Sequence, residues 1–241
     1  MHYLKLRRSR TILTLFAAST LLFLLFPGID IFISRLFFHQ GFYLSRQWWT
    51  VLMHDSLGLF LGFSLASVVA LYLWNKLTKR NVWKVDGKRV AYLFLVLILG
   101  AGVIVNVALK DNFGRARPRD IVEFGGAGHY TPPFVMSGQC TRNCSFSSGE
   151  AAGGFFSLAL ALALSRRRRV FAAAVGVGAV VSFCRIASGA HFFSDTVVSF
   201  FVMLIVADVL HYYLVLGAFE REARLRLEAE ALPALPSASE S

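Results

Sequence analysis

Charge is scarce in this sequence. Only 16% of its 241 residues are Asp, Glu, Lys or Arg, while 56% are hydrophobic. Soluble domains carry about a quarter charged residues, so a soluble globular class is excluded. Acidic residues are scarcer still, 14 against 25 basic, which leaves a formal net charge of +11. In a soluble chain that excess would point to nucleic acid. Here the cations stand in short runs between apolar stretches, so they report topology, and no nucleic-acid partner is expected. The chain has no glycine-rich nucleotide loop and no internal repeat. It also lacks a small-x-small cleavage site after its first apolar segment, where Pro27, Gly28, Ile29 and Asp30 follow instead. The segment is therefore expected to remain as a helix rather than leave as a signal peptide. Cysteine is limited to Cys140 and Cys144 in one loop and Cys184 in an apolar stretch.

What is present is a series of long apolar runs. Six fall at roughly 11–27, 56–76, 90–109, 149–165, 170–187 and 193–215, long enough to be read as membrane helices. The expected fold is all-α and polytopic: one membrane-embedded domain over 1–218, with six spans, and a polar cytoplasmic tail over 219–241 containing Pro233 and Pro236. Between the first two runs, Phe37, Phe38, Phe42, Tyr43, Trp48 and Trp49 mix with Arg35, Arg46 and His39. That mixture suits an amphipathic helix lying in the interface, although an ordered loop would carry it equally well.

The connections alternate in charge. One side collects Lys5, Arg7, Arg8 and Arg10, then Lys76, Lys79, Arg80, Lys84, Lys88 and Arg89, the run Arg166 to Arg169, and Arg221, Arg224 and Arg226. By the positive-inside rule that side is cytoplasmic. The opposite side nevertheless holds Lys110, Arg115, Arg117, Arg119 and Arg142, with Arg185 near the end of the fifth run. The rule disfavours cations there, so they need another purpose, and a bound anion is the simplest.

Three stretches carry candidate chemistry. In the first, Lys110 and Arg117 stand seven residues apart before Pro118. If that stretch is helical, they share one face and form a phosphate clamp; otherwise they are loop charges. The second, Ser145 to Glu150, precedes an apolar helix. Ser148 and the Gly149 N–H could bind an anion at the helix start, or Ser148 could simply cap it. In the third, His191 and Asp195 are four residues apart, one helical turn, with Arg185 across the Ser188–Gly189 turn. A carboxylate on one imidazole nitrogen fixes the tautomer and frees the other to attack.

Together the three stretches resemble the type 2 phosphatidic acid phosphatase superfamily, whose pattern is K-x6-R-P, then P-S-G-H, then S-R-x5-H-x3-D. This chain reads Lys110-x6-Arg117-Pro118, then Ser148-Gly149-Glu150, then Cys184-Arg185-x5-His191-x3-Asp195. The resemblance covers roughly 55–215. It implies that His191 attacks phosphorus, that Asp195 orients it, and that Lys110, Arg117, Ser148, Gly149 and Arg185 hold the phosphate oxygens. It implies no metal and no other cofactor. Two residues depart from the pattern. Cys184 replaces a serine, and Glu150 replaces the histidine that protonates the leaving oxygen, a task a carboxyl can perform if burial or the phosphate raises its pKa.

Ser-Gly-Glu in the second motif is similar to a bacterial subgroup near the lipid A phosphatases. The expected function is thus a lipid phosphatase at the periplasmic face of a bacterial inner membrane, acting through a phosphohistidine. Its partner would be a phosphorylated membrane lipid: lipid A first, then phosphatidylglycerol phosphate or undecaprenyl diphosphate. A phosphotransferase passing the phosphoryl group to another lipid and a non-catalytic phospholipid transporter are the alternatives. Cys140 and Cys144 are either a disulfide bracing the loop in an oxidising compartment or two free thiols.

Overall fold

The computed structural model describes residues 2–165, 167–217 and 224. Arg166, Arg221 and Arg226 of the expected cytoplasmic set lie outside them, as does the tail 219–241 apart from Arg224. The described chain runs through α1 (His2–Leu25), α2 (Gly28–Arg35), α3 (Trp48–Thr78), α4 (Gly87–Lys110), α5 (Gly149–Leu164), α6 (Arg168–Ala187) and α7 (Phe193–Leu216). Among the described residues no β-strand occurs, so the expected all-α class holds.

Among the described residues, four helices are long and apolar enough to cross a membrane: α3, α4, α6 and α7. A fifth crossing exists if α1 and α2 form one span, but they are bent by 83° at Pro27, whose ring breaks a continuing helix. The remaining segment, α5, has 16 residues, a length of about 24 Å against roughly 30 Å of hydrocarbon. Length and composition therefore give four or five spans where the apolar pattern gives six. The segment between the first two runs is part helix and part loop: α2 covers eight residues, and the chain then turns through Phe38 and Phe42 before α3 begins at Trp48.

The short helix is the central one. α5 is rich in Ala and Gly and is buried along most of its length against α4, α6 and α7. Small residues let helix backbones approach in an apolar medium, where dispersion contacts and not hydrophobicity drive association. At Gly178 of α6 a side chain would put its Cβ 2.0 Å from the Phe155 ring, so only glycine fits there. By contrast, α3 sits at the periphery, with Leu59, Phe63 and Leu77 each at least three-quarters exposed toward the surroundings.

Chain direction alternates along the bundle. The C-terminal ends of α4 and α6 and the N-terminal ends of α5 and α7 consequently meet at one end. At the other, Arg89 of α4 donates from Nε to Ala163 O of α5 at 3.0 Å.

Candidate active site

The gathered end holds all three motifs, but not in the local geometry their spacing suggests. α4 stops at Lys110, and the chain turns at Gly114 (φ +59°) into extended backbone at Arg117. Lys110 and Arg117 therefore do not share a helix face. The loop folds Arg117 back instead, and Pro118 opens a short 3-10 turn, Pro118–Asp120, rather than closing a helix. Arg117 is held by the Asn143 carbonyl, accepting from Nη2 at 2.8 Å and Nε at 3.3 Å. Even so, Lys110, Arg117, Arg185 and Glu150 end within electrostatic reach of one another. Burial, then the charges of Arg119 and Arg185, lower the pKa of Arg117, which remains a cation.

Asn143 lies inside the small loop closed by a Cys140–Cys144 disulfide, with Cα atoms 5.6 Å apart. The bridge thus braces the carbonyl that positions Arg117. Replacing both cysteines by serine is expected to lower kcat/KM roughly 3–10-fold, the loss of about 1 kcal/mol of positioning. Unchanged kinetics in that variant would show that the loop keeps its shape without the bridge.

The second motif places Ser148 as the N-cap of α5, its hydroxyl accepting from Ala151 N at 3.2 Å. The first N–H groups of a helix have no partner inside it and carry its positive dipole end. Gly149 is the first residue of α5, so its N–H is one of these. Among the described residues, four buried side-chain atoms lack a hydrogen-bond partner. Three of them, Ser147 Oγ, Glu150 Oε2 and Arg185 Nε, belong to this cluster. Glu150 Oε2 and Arg185 Nε are 2.6 Å apart, an ionic contact without the alignment of a hydrogen bond. Glu150 Oε1 is 3.1 Å from His54 Nδ1 of α3.

In the third motif His191 is 1% exposed. It precedes α7, after a turn in which Gly189 (φ +65°) passes so close to Phe42 that a Cβ would sit 2.3 Å from the ring. The imidazole Nδ1–H donates to Ser145 O at 2.7 Å, while Asp195 Oδ2 is 3.7 Å away. A carbonyl only accepts, so Nδ1 carries the proton and Nε2 has the lone pair. Ser145 also donates from Oγ to Asp195 Oδ2 at 2.5 Å. The carboxylate therefore orients the ring through Ser145 as well as from the direct 3.7 Å contact the spacing suggested. Burial lowers the pKa of His191, against the opposing pull of Asp195, so the ring stays neutral and nucleophilic around neutral pH.

Behind His191 lies a buried triad that the spacing of motifs did not reveal. Arg115 is 1% exposed. Its Nη1 donates to Asp195 Oδ1 and its Nη2 to Asp30 Oδ2, the latter at 2.8 Å. Its Nε reaches Thr131 O at 2.7 Å, and the guanidinium stacks 4.2 Å from the Phe192 ring centroid. Burial opposes its charge, but Asp195 and Asp30 outweigh that and raise its pKa. Asp30 comes from α2, which the 83° bend turns into the bundle. It also accepts from Tyr130 Oη at 3.2 Å and from Ser194 N at 2.9 Å. The signal in the sequence was an acid directly after an apolar run, a position where burial demands a partner.

The sequence is also similar to known proteins. A family model described as the PAP2 superfamily matches residues 89–216. A lipid A 4'-phosphatase of Francisella tularensis subsp. novicida is 33% identical over 188 residues, covering 73% of this chain and 81% of the relative. A lipid A 4'-phosphatase of Rhizobium leguminosarum is 33% identical over 202 residues, covering 75% and 85%. No solved structure matches significantly. On the family match and the coverage of these relatives, the chain belongs to the PAP2 superfamily.

Proposed function

We propose that the chain is a lipid phosphatase of a bacterial inner membrane that removes the 4′ phosphate of lipid A at the periplasmic face. One observation carries this reading: Arg117 and Arg185 act on a buried, neutral His191 whose Nε2 keeps its lone pair, and Lys110 stands within electrostatic reach of both arginines. The basic connections on the opposite side support the orientation, and the named activity of the bacterial relatives supports the substrate.

The geometry supports a role for each residue. His191 Nε2 attacks phosphorus while Ser145 and Asp195 hold the ring. Lys110, Arg117 and Arg185, with Ser148 and the Gly149 N–H, neutralise the phosphate oxygens as charge develops. Glu150 stands on the leaving-group side. Water then attacks the phosphohistidine and releases phosphate. Uncatalysed phosphate-monoester hydrolysis is among the slowest reactions and demands up to about 10²¹-fold acceleration, a demand that three preorganised cations in a partly dry site suit. The cations do the work a metal would otherwise do.

Purified protein offered lipid A, phosphatidylglycerol phosphate and undecaprenyl diphosphate should release phosphate fastest from lipid A. Vanadate, which mimics pentacovalent phosphorus, should inhibit, and EDTA should not. Activity lost in EDTA and restored by a divalent metal would place the protein in another enzyme class.

A further inference from the structure

A sugar oxygen leaves poorly as an alkoxide and needs a proton as its bond to phosphorus breaks. The position of that proton donor follows from the depth of the nucleophile. Displacement at phosphorus is roughly in line, and His191 lies at the floor of the site, 1% exposed. The leaving oxygen must therefore face the opening. Side-chain exposure rises along the chain of contacts, from 13% at Arg185 through 24% at Glu150 to 54% at His54.

Glu150 itself is placed to accept. One carboxylate oxygen faces Arg185 Nε at 2.6 Å and the other faces His54 Nδ1 at 3.1 Å. His54 is the outermost member of this chain of contacts and the one that turns a ring nitrogen, Nε2, away from the carboxylate. A carboxylate on one imidazole nitrogen fixes the ring and leaves the other nitrogen to pass a proton, which is the arrangement of a general acid.

We propose that His54 donates the proton to the leaving oxygen and that Glu150 acts as the carboxylate that holds its ring. The inference rests on the phosphatase reading above and names the route by which Glu150 serves the leaving group. In the first step the His191 Nε2 lone pair forms a bond to phosphorus. The bond from phosphorus to the sugar oxygen breaks with its electron pair, and that oxygen takes the proton from His54 Nε2. His54 is left neutral, with its Nδ1–H on Glu150. In the second step water attacks the phosphohistidine, the P–N bond breaks, and phosphate departs carrying the protons of that water. His54 takes its proton back from solvent, so the step common to all substrates does not pass through it.

The test compares leaving groups. His54→Gln is assayed on lipid A and on a nitrophenyl phosphate carrying an alkyl chain, whose phenolate leaves without a proton. Turnover of lipid A should fall about a hundredfold or more, while turnover of the aryl phosphate should stay within about threefold of wild type. The aryl arm also reports that the variant is folded. Equal losses on both substrates, or near-normal turnover of lipid A, would overturn the proposal. Wild-type protein that hydrolyses neither substrate would overturn the phosphatase reading itself and this inference with it.

Discussion

Replacing Arg115 by Met should destabilise the protein by about 3–5 kcal/mol and abolish its activity. The reason lies in what would remain. Asp30 and Asp195 are each 1% exposed or less, and Arg115 is the cation between them. Without it two carboxylates stay buried in a medium that solvates charge poorly, and one of them is the group that anchors Ser145 and so the ring of His191. Activity and stability should fall together. Arg115→Lys should rescue little, because one ammonium cannot reproduce a planar fork that bridges two carboxylates and donates to Thr131 O. Thermal unfolding in detergent would read the effect as a fall of roughly 10 °C in midpoint, at about 2–4 °C per kcal/mol for a chain of this size. A variant with unchanged midpoint and turnover would show that the triad contributes neither stability nor alignment.

The residues of this site differ in how legible they were, and the reason is range. Lys110, Arg117, Arg185, His191 and Asp195 stand out because cations and a His–Asp pair at fixed spacing beside apolar runs have few bland explanations. Even there, the structure gathers these residues by paths other than the ones their spacing suggests. Lys110 and Arg117 come near each other through a loop turned at Gly114, and His191 reaches Asp195 through Ser145. A helical wheel encodes neither path.

Asp30 and His54 were less legible. Each meets its partner across a long stretch of chain, Asp30 with Arg115 and His54 with Glu150, so no local period announces them. The helical class followed directly from the apolar runs. The number of crossings did not, because α5 is apolar enough to read as a span yet too short to be an unambiguous one. Its apolarity reflects burial among α4, α6 and α7.

His191 is the proposed nucleophile, and its removal is the decisive experiment. His191 is buried, is neutral because burial lowers its pKa, and is fixed as the tautomer with Nε2 unprotonated by Ser145 O at 2.7 Å. Its loss removes the covalent step itself, and removing a nucleophile costs orders of magnitude in kcat. His191→Ala and His191→Asn should each be made, since Asn can keep a hydrogen bond to Ser145 O and so separates chemistry from packing. The measurement is phosphate release from lipid A by each purified variant, with folding checked by its thermal midpoint. Turnover should fall roughly a thousandfold or more in both variants, with a wild-type midpoint in His191→Asn. Near-normal phosphate release in either variant would contradict it.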